Sequence, residues 1–333
     1  MTVESIINKT GEMFSPYMGS LINHLPMAQW ATYKLSGESE SVDEFTTKYL
    51  EKSHIDKVKK EYKDVNSIEE ALGNRDLYEG ALDFLKKELL TKNIEELTSY
   101  ILNKYPLGMS SGLFHTLIRV SYGVEGYREK SELKEELTRG LAYYITAYRE
   151  ARLLERKVEP KDIREEIKKL ARSVHIKEIL ENNDRLGQRL KALYNDEIYL
   201  KNGFILKGEY DEKIRALLDL LIPLFYKDRN IVVLHCITSL HALIVLKDYY
   251  DDFEEAMDIF TTCIITNLIA TGIMDYPQMQ ENETGFSWKC IIQKSLKSTD
   301  VHDIKLTYSA LCLDKIYNIE QLKDISVKRI KYH

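Results

Sequence analysis

The sequence predicts an all-α protein, a multi-helix single-chain bundle of helix hairpins with a weak internal repeat. Glycine (15) and proline (6) are scarce among 333 residues, so tight turns and helix breaks are few. Hydrophobic residues make up 44% and charged residues 30%, the balance of a soluble globular chain long enough to bury a large core. From Ser67 onward, apolar residues recur at spacings of three and four, the period of an amphipathic helix.

Near the N-terminus, Asn23-His24-Leu25-Pro26 sets a polar pair ahead of a proline, which places a helix start just after His24. Leu82, Leu85 and Leu89 form one core-facing stripe, and Leu133, Leu137, Leu141, Tyr144 and Tyr148 form another. Between Ala151 and Gly187 the pattern turns charged, with Pro160-Lys161-Asp162 resembling a helix start. The chain therefore divides into an N-terminal helical half (1–150), charged connecting helices (151–200) and a C-terminal helical half (201–333), or else forms one continuous domain. Ile231 to Leu246 is the longest apolar run; two histidines, a threonine and a serine interrupt it, and it is too short to span a bilayer. Met279 to Phe286 is a loop by composition and a candidate lid. Toward the C-terminus a helix is expected to carry His302 and Lys305, which are three apart and reach the same space. The weak repeat is an echo: His24, His115 and His235 each follow apolar residues, and each precedes by 20 residues an acidic residue (Glu44, Glu135, Glu255) in a second helical pattern. Coincidence in a glutamate-rich chain explains that spacing nearly as well.

Charge and cysteine usage exclude several function classes. Forty-seven basic residues against 53 acidic ones leave a net charge of −6 with no basic field for a phosphate backbone, so no nucleic-acid partner is expected. Cys236, Cys263, Cys290 and Cys312 stand alone without a Cys-x-x-Cys pair, and no basic region precedes an apolar one at the N-terminus. A cytoplasmic, disulfide-free protein with no signal peptide and no membrane anchor is the expectation.

The chemistry-bearing residues lie on apolar helix faces, where a buried polar group without a partner costs about 1–3 kcal/mol. Such groups either satisfy one another or line a pocket. His115 and Arg119, one turn apart, pair a group that titrates near neutrality with a permanent cation suited to holding an oxyanion. Equally, Arg119 would pair with a carboxylate such as Glu125 while His115 caps a buried carbonyl. His235, Thr238 and His241 step along one flank of an apolar helix, a functional site where a lone histidine would be a satisfied core residue. His-x₅-His does not set both rings on one face for zinc, so metal binding there would need ligands from other helices, and no metal ligand set is assigned. His302-Asp303 is also a dipeptide of metal-dependent phosphohydrolases, though frequent by chance. No Gly-x-Gly-x-x-Gly, Walker, nucleophile-elbow or c-type haem motif is present.

Taken in order, Asn23-His24-Leu-Pro-Met27, Phe114-His115-x-Leu-Ile-Arg119, Gly140-Leu141-Ala142-Tyr143, Leu234-His235-x-x-Thr238-x-x-His241-Ala242 and His302-x-x-Lys305-Leu306 resemble the questin oxidase-like family over nearly the whole chain. The resemblance implies an oxidoreductase that opens a ring of an anthraquinone or similar ketone by a Baeyer-Villiger type oxygen insertion with NADPH and O₂. No tightly bound flavin is expected, in keeping with the missing fingerprint. On this reading His115, Arg119, His235 and His241 are catalytic and face one cavity, while Asn23, His24, Tyr143, Thr238, His302 and Lys305 bind a small aromatic substrate. The competing expectations are a non-catalytic helical protein that binds an aromatic or acyl ligand, and a metal-dependent hydrolase.

Overall fold

The computed structural model describes residues 1–19, 21–278 and 285–330, and within them the chain is an all-α multi-helix bundle. The expected loop at Met279 to Phe286 lies outside the described residues except for its last two positions. Eighteen α-helices are described. The first eight are α1 (Val3–Met13), α2 (Leu25–Ser36), α3 (Ser39–Lys52), α4 (Ile68–Ala71), α5 (Tyr78–Glu88), α6 (Ile94–Lys104), α7 (His115–Glu129) and α8 (Lys134–Thr146). A charged stretch follows with α9 (Ile163–Ala171), α10 (Val174–Glu181), α11 (Leu186–Tyr194) and α12 (Glu197–Asn202). Then come α13 (Tyr210–Asp228), α14 (Ile231–Val245), α15 (Phe253–Ala270), α16 (Trp288–Ser295), α17 (Val301–Tyr317) and α18 (Gln321–Ile330). Strand content is slight: β1 (Tyr17–Met18) pairs antiparallel with β2 (Leu21–Ile22), and β3 (Arg156–Val158) pairs parallel with β4 (Phe204–Leu206). No described helix is long and apolar enough to cross a membrane.

Four helices, α2, α7, α14 and α17, pack on one another at the centre. Their sequences explain the position: α14 is buried without a break from Val232 to His241 and beyond, and a helix that is apolar on all sides belongs inside. Each inner helix leads into an outer one, giving the hairpins α2–α3, α7–α8, α14–α15 and α17–α18. The acidic residues of the sequence echo fall in those partners, Glu44 in α3, Glu135 in α8 and Glu255 in α15. The histidines fall at the starts of the inner helices. His24 precedes the first residue of α2, His115 opens α7, His302 is the second residue of α17 and His235 lies in the first turns of α14. Far from those starts, Lys34 near the end of α2 pairs with Glu129 at the end of α7. The inner helices therefore run in the same direction, and all present their N-termini to one place. Around them, buried apolar side chains from Val3 to Ile325 form a single continuous core.

Local chemistry fixes each start. Asn23 Oδ1 accepts from the Leu25 N–H at 2.9 Å and Pro26 occupies the first turn of α2. Asn230 caps α14 through the Val232 N–H at 2.8 Å, and Asp300 caps α17 through the His302 N–H at 2.8 Å. Helix α7 has no such side-chain cap. It is entered by three successive left-handed residues, Gly112 (φ 58), Leu113 (φ 59) and Phe114 (φ 64). For a residue with a Cβ this costs roughly 1–2 kcal/mol, and burial of Phe114 against Phe260 helps to hold it. The turn aims the Gly112 carbonyl at His115.

Only glycine fits at position 112, because a Cβ there would lie 2.8 Å from the Tyr143 hydroxyl and 2.9 Å from Ile22 Cδ1 at a positive φ. Gly112→Ala should therefore lower stability by about 2–4 kcal/mol in denaturant titration, from backbone strain and overpacking together. An unchanged unfolding midpoint would show that the turn is relaxed.

Candidate functional site

The four inner helix starts bring His24, His115, His235 and His302 into one cluster. Neighbouring ring centroids lie 4.4 Å apart for His24 and His115, 4.5 Å for His115 and His235, 4.9 Å for His24 and His302, and 5.2 Å for His235 and His302. Every Nδ1 is committed outward. His24 donates to the Ile22 carbonyl at 2.6 Å, His115 to Gly112 at 2.5 Å, His235 to Ile231 at 2.8 Å and His302 to the Asp300 carboxylate at 3.0 Å. Carbonyls and an ionised carboxylate only accept, so each Nδ1 carries the proton and each Nε2 is left with a bare lone pair. Those lone pairs meet: His115 Nε2 stands 2.7 Å from His24 Nε2 and 3.1 Å from His235 Nε2. Ligand atoms of His24, His235 and His302 all lie within 4.8 Å of one another, a set able to hold a metal ion.

Electrostatics keep the imidazoles neutral. Burial holds His24, His115 and His235 well below the ordinary histidine range, and neighbouring imidazoles and Lys305 push in the same direction. Burial also lowers His302, against the opposing hydrogen bond to Asp300. Although burial works the other way, hydrogen bonds from His302 hold the Asp300 carboxyl below its usual range. The Asp300 carboxylate is itself gripped by Arg329 of α18, whose Nε also lies 2.9 Å from Asp303 Oδ1. Lys305 is fully buried with its amine lacking a hydrogen-bond partner, and burial lowers it to about 7, so a large share of it is the neutral amine at neutral pH. His24 and His302 keep partial exposure, which gives the cluster an open side.

The expected single cavity holds only part of the expected set. His24, His115, His235 and His302 converge, with Lys305 close enough to act on all four. Arg119 does not join them. Four residues beyond His115 it has turned about 40° and risen about 6 Å, which points it at α8. There its Nε and Nη2 donate to Glu136 Oε1 at 3.0 and 2.8 Å, and Glu136, rather than Glu125, is the carboxylate that keeps it charged against the pull of burial. His241, six residues beyond His235, lies about 9 Å lower, with its Nε2 3.8 Å from Glu125 Oε1 and its ring 5.4 Å from that of Tyr308. Tyr143 is buried behind the left-handed turn, packed on Tyr17 at 5.6 Å. Thr238 bonds the His235 carbonyl of its own helix at 3.3 Å. Asn23 caps α2 and donates to the Ser15 carbonyl at 2.9 Å. These three hold backbone or packing in place. Asp300 and Arg329 were not anticipated as site residues; Asp300 carried a signal in Asp-x-His at a helix start, whereas Arg329 reaches the site only through the packing of α18 on α17.

The Arg119–Glu136 pair is a buried structural bridge, so Arg119→Met should cost about 3–5 kcal/mol in chemical denaturation by leaving Glu136 without its main partner. The double variant Arg119→Met, Glu136→Met should recover most of that loss. Should the single variant instead keep its stability and lose ligand or metal binding, Arg119 belongs to the site after all.

With this geometry in view, the comparisons with known proteins give one result. No curated protein matches the chain. The family model described as questin oxidase-like matches residues 21–310, a span that runs from β2 through the motif histidines to most of α17. The chain belongs to the questin oxidase-like family.

Proposed function

We propose that His24, His115, His235 and His302 hold one redox-active divalent metal, and that the protein is an oxygenase acting on an aromatic polycyclic or quinone-like ketone. The observation that carries this reading is the convergence of bare Nε2 lone pairs whose Nδ1 groups are all anchored. Left to themselves those lone pairs repel. A proton between them would have to be held in a buried place that already disfavours imidazolium, so a metal ion is the better occupant. Two separations fit directly: the 2.7 and 3.1 Å between His115 Nε2 and the Nε2 atoms of His24 and His235 match nitrogens bound at about 2.0–2.1 Å in neighbouring positions on one ion, which stand roughly 3 Å apart, and His302 enters through its place within 4.8 Å of His24 and His235. Outer partners on every ring, three carbonyls and the Asp300 carboxylate, are the usual means of fixing a metal-binding imidazole.

An all-imidazole donor set suits iron, copper, nickel or zinc, and reaction with O₂ selects iron or copper. When bound, such a metal supplies electron transfer to O₂. The chain's own residues do the rest. The four imidazoles fix the ion, Asp300 and Arg329 keep the His302 ring oriented, and the Lys305 amine offers a lone pair or, once protonated, a proton. Surrounding apolar side chains exclude water and strengthen every one of these interactions. NADPH enters this reading as an electron source through the family resemblance. The chain lacks a Gly-x-Gly-x-x-Gly turn, so a dinucleotide would have to be held in another way.

Metal analysis of purified protein should find about one equivalent of iron or copper, absent after chelation or in His235→Ala. Asp300→Asn should weaken metal affinity by roughly 10–100-fold. O₂ consumption with a panel of quinones and anthraquinones, with and without NADPH, should require the metal. Protein that binds no transition metal and consumes no O₂, yet takes up aromatic ligands, would be a binding protein; metal-dependent hydrolysis without O₂ uptake would make it a hydrolase.

A further inference from the structure

Lower in the same four-helix interior lies a second buried polar cluster, which the metal site leaves unused. Glu125 of α7 is its centre. The Tyr308 hydroxyl of α17 donates to Glu125 Oε1 at 2.6 Å, and His241 of α14 approaches the same oxygen at 3.8 Å. Trp30 and Lys34 of α2, Tyr122 and Glu129 of α7 and Cys312 of α17 also interact with the carboxyl. Glu125 Oε2 and His241 Nδ1 are buried without a hydrogen-bond partner. Beside the cluster, a void of about 10 Å³ bordered by Trp30, Tyr122, Arg119 and Glu136 is the size of one water.

Ionisable groups flank the cluster on both sides. Toward solvent, the ion pair of Lys34 and Glu129 is partly exposed on both sides. Toward the histidines, Lys305 stands one turn before Tyr308 on the same face of α17, its amine without a partner. Each inner helix thus contributes a polar group at both levels.

We propose that Glu125, with Tyr308 and His241, is the proton-exchange station through which the histidine site draws protons from solvent. The direction of flow rests on the oxygenase reading. Inserting one atom of O₂ into a ketone with a hydride donor consumes ketone, O₂, the hydride donor and one proton, and yields the ester, the oxidised donor and water. Glu125 as the neutral acid gives up its carboxyl proton to the neutral Lys305 amine, which becomes the ammonium and passes the proton to the reacting oxygen, and the Glu125 carboxylate recovers a proton from solvent at the Lys34 and Glu129 end. The chemistry of the station suits that task. Burial pushes Glu125 up to about 7 and His241 down to about 4, so near neutral pH a carboxyl that holds its proton about half the time faces a neutral base.

The test compares wild type with Glu125→Gln and Tyr308→Phe by infrared spectroscopy of the carboxylic acid C=O stretch between pH 5 and 9. Wild type should lose such a band near pH 7, Glu125→Gln should lack it, and Tyr308→Phe, which removes a bond to the charged form, should move the transition to higher pH. Loading the protein with Zn(II) should move the Glu125 transition to lower pH by about half a unit or more, since a cation at the histidines favours the carboxylate. Where turnover of a quinone is found, Glu125→Gln should lower kcat by about tenfold or more with KM and metal content retained, and should lose the pH dependence near 7. The stability difference also has a defined sign: a carboxyl raised by folding weakens the fold as pH rises from about 5 through 7, so wild type should lose stability relative to Glu125→Gln over that interval. Absence of the infrared transition from wild type, its persistence in Glu125→Gln, or full turnover with an unchanged pH profile in that variant would overturn the proposal. Failure of the oxygenase reading shows itself separately, as wild type without O₂ uptake whose Glu125 still titrates.

Discussion

The constraint on which the structure depends is the meeting of four imidazoles at one buried point, each held from behind by an acceptor. An imidazole whose Nδ1 proton is fixed has one useful lone pair, and the ring's own size decides how near its backbone must come. To bring four such rings together, four backbones have to begin close to one another. The inner helices satisfy this by starting there: His24, His115 and His302 lie at the very ends of α2, α7 and α17, where the backbone is not yet committed to helical bonding. Four helices that start together run parallel, and parallel neighbours cannot be joined by short turns. The chain accordingly makes three long returns, each occupied by outer helices, and the multi-hairpin architecture follows from the placement of the histidines.

The same arrangement sets the electrostatic character of the site. Each helix start carries the equivalent of roughly half a positive charge, and four of them face the cluster. That field opposes protonation of the imidazoles and of Lys305, in the same direction as burial. It also opposes a cation, so a metal there depends on direct ligation by nitrogen, and it favours anionic oxygen as a further ligand. Asp300 is the local counterweight. Held charged by His302 and gripped by Arg329, it supplies a negative group beside the site.

How much of this was legible in the sequence depended on whether a residue acts locally. Asn23-His24-Leu25-Pro26 announces a capped helix with histidine at its mouth, and the cap is where the sequence places it. The spacing of His24, His115 and His235 ahead of second helical patterns reflects a real equivalence of position, to which His302 adds a fourth member. Arg119 and His241 lie apart from the histidine cluster for a common reason: a shared helix face says nothing about which neighbour that face meets. A rotation of about 40° and a rise of about 6 Å carry Arg119 from the histidines to Glu136 on α8, and a rise of about 9 Å carries His241 to Glu125. The choice between Glu125 and Glu136 as the arginine's partner is tertiary, fixed by the packing of α8 on α7. The same holds for Arg329, distant in sequence from every residue it serves except through the fold of α18.

Stability and function are consequently divided between two shells of the molecule. The inner helices carry buried polar atoms without hydrogen-bond partners at two levels, Lys305 Nζ above and Glu125 Oε2 and His241 Nδ1 below, and each such atom costs roughly 1–3 kcal/mol. The apolar contacts among the four inner helices have to offset these costs, and the outer helices add to them. What encloses the inner helices is the outer shell, whose apolar faces join the continuous core, together with the strained turn at Gly112 and the Arg119–Glu136 bridge that tie α7 to its surroundings. A metal bound at the histidines would add its binding free energy to folding, because the site does not exist in the unfolded chain. The outer helices therefore hold open a polar interior that packing by itself would eliminate, and the polar interior is in turn the reason the outer shell has to be so extensive.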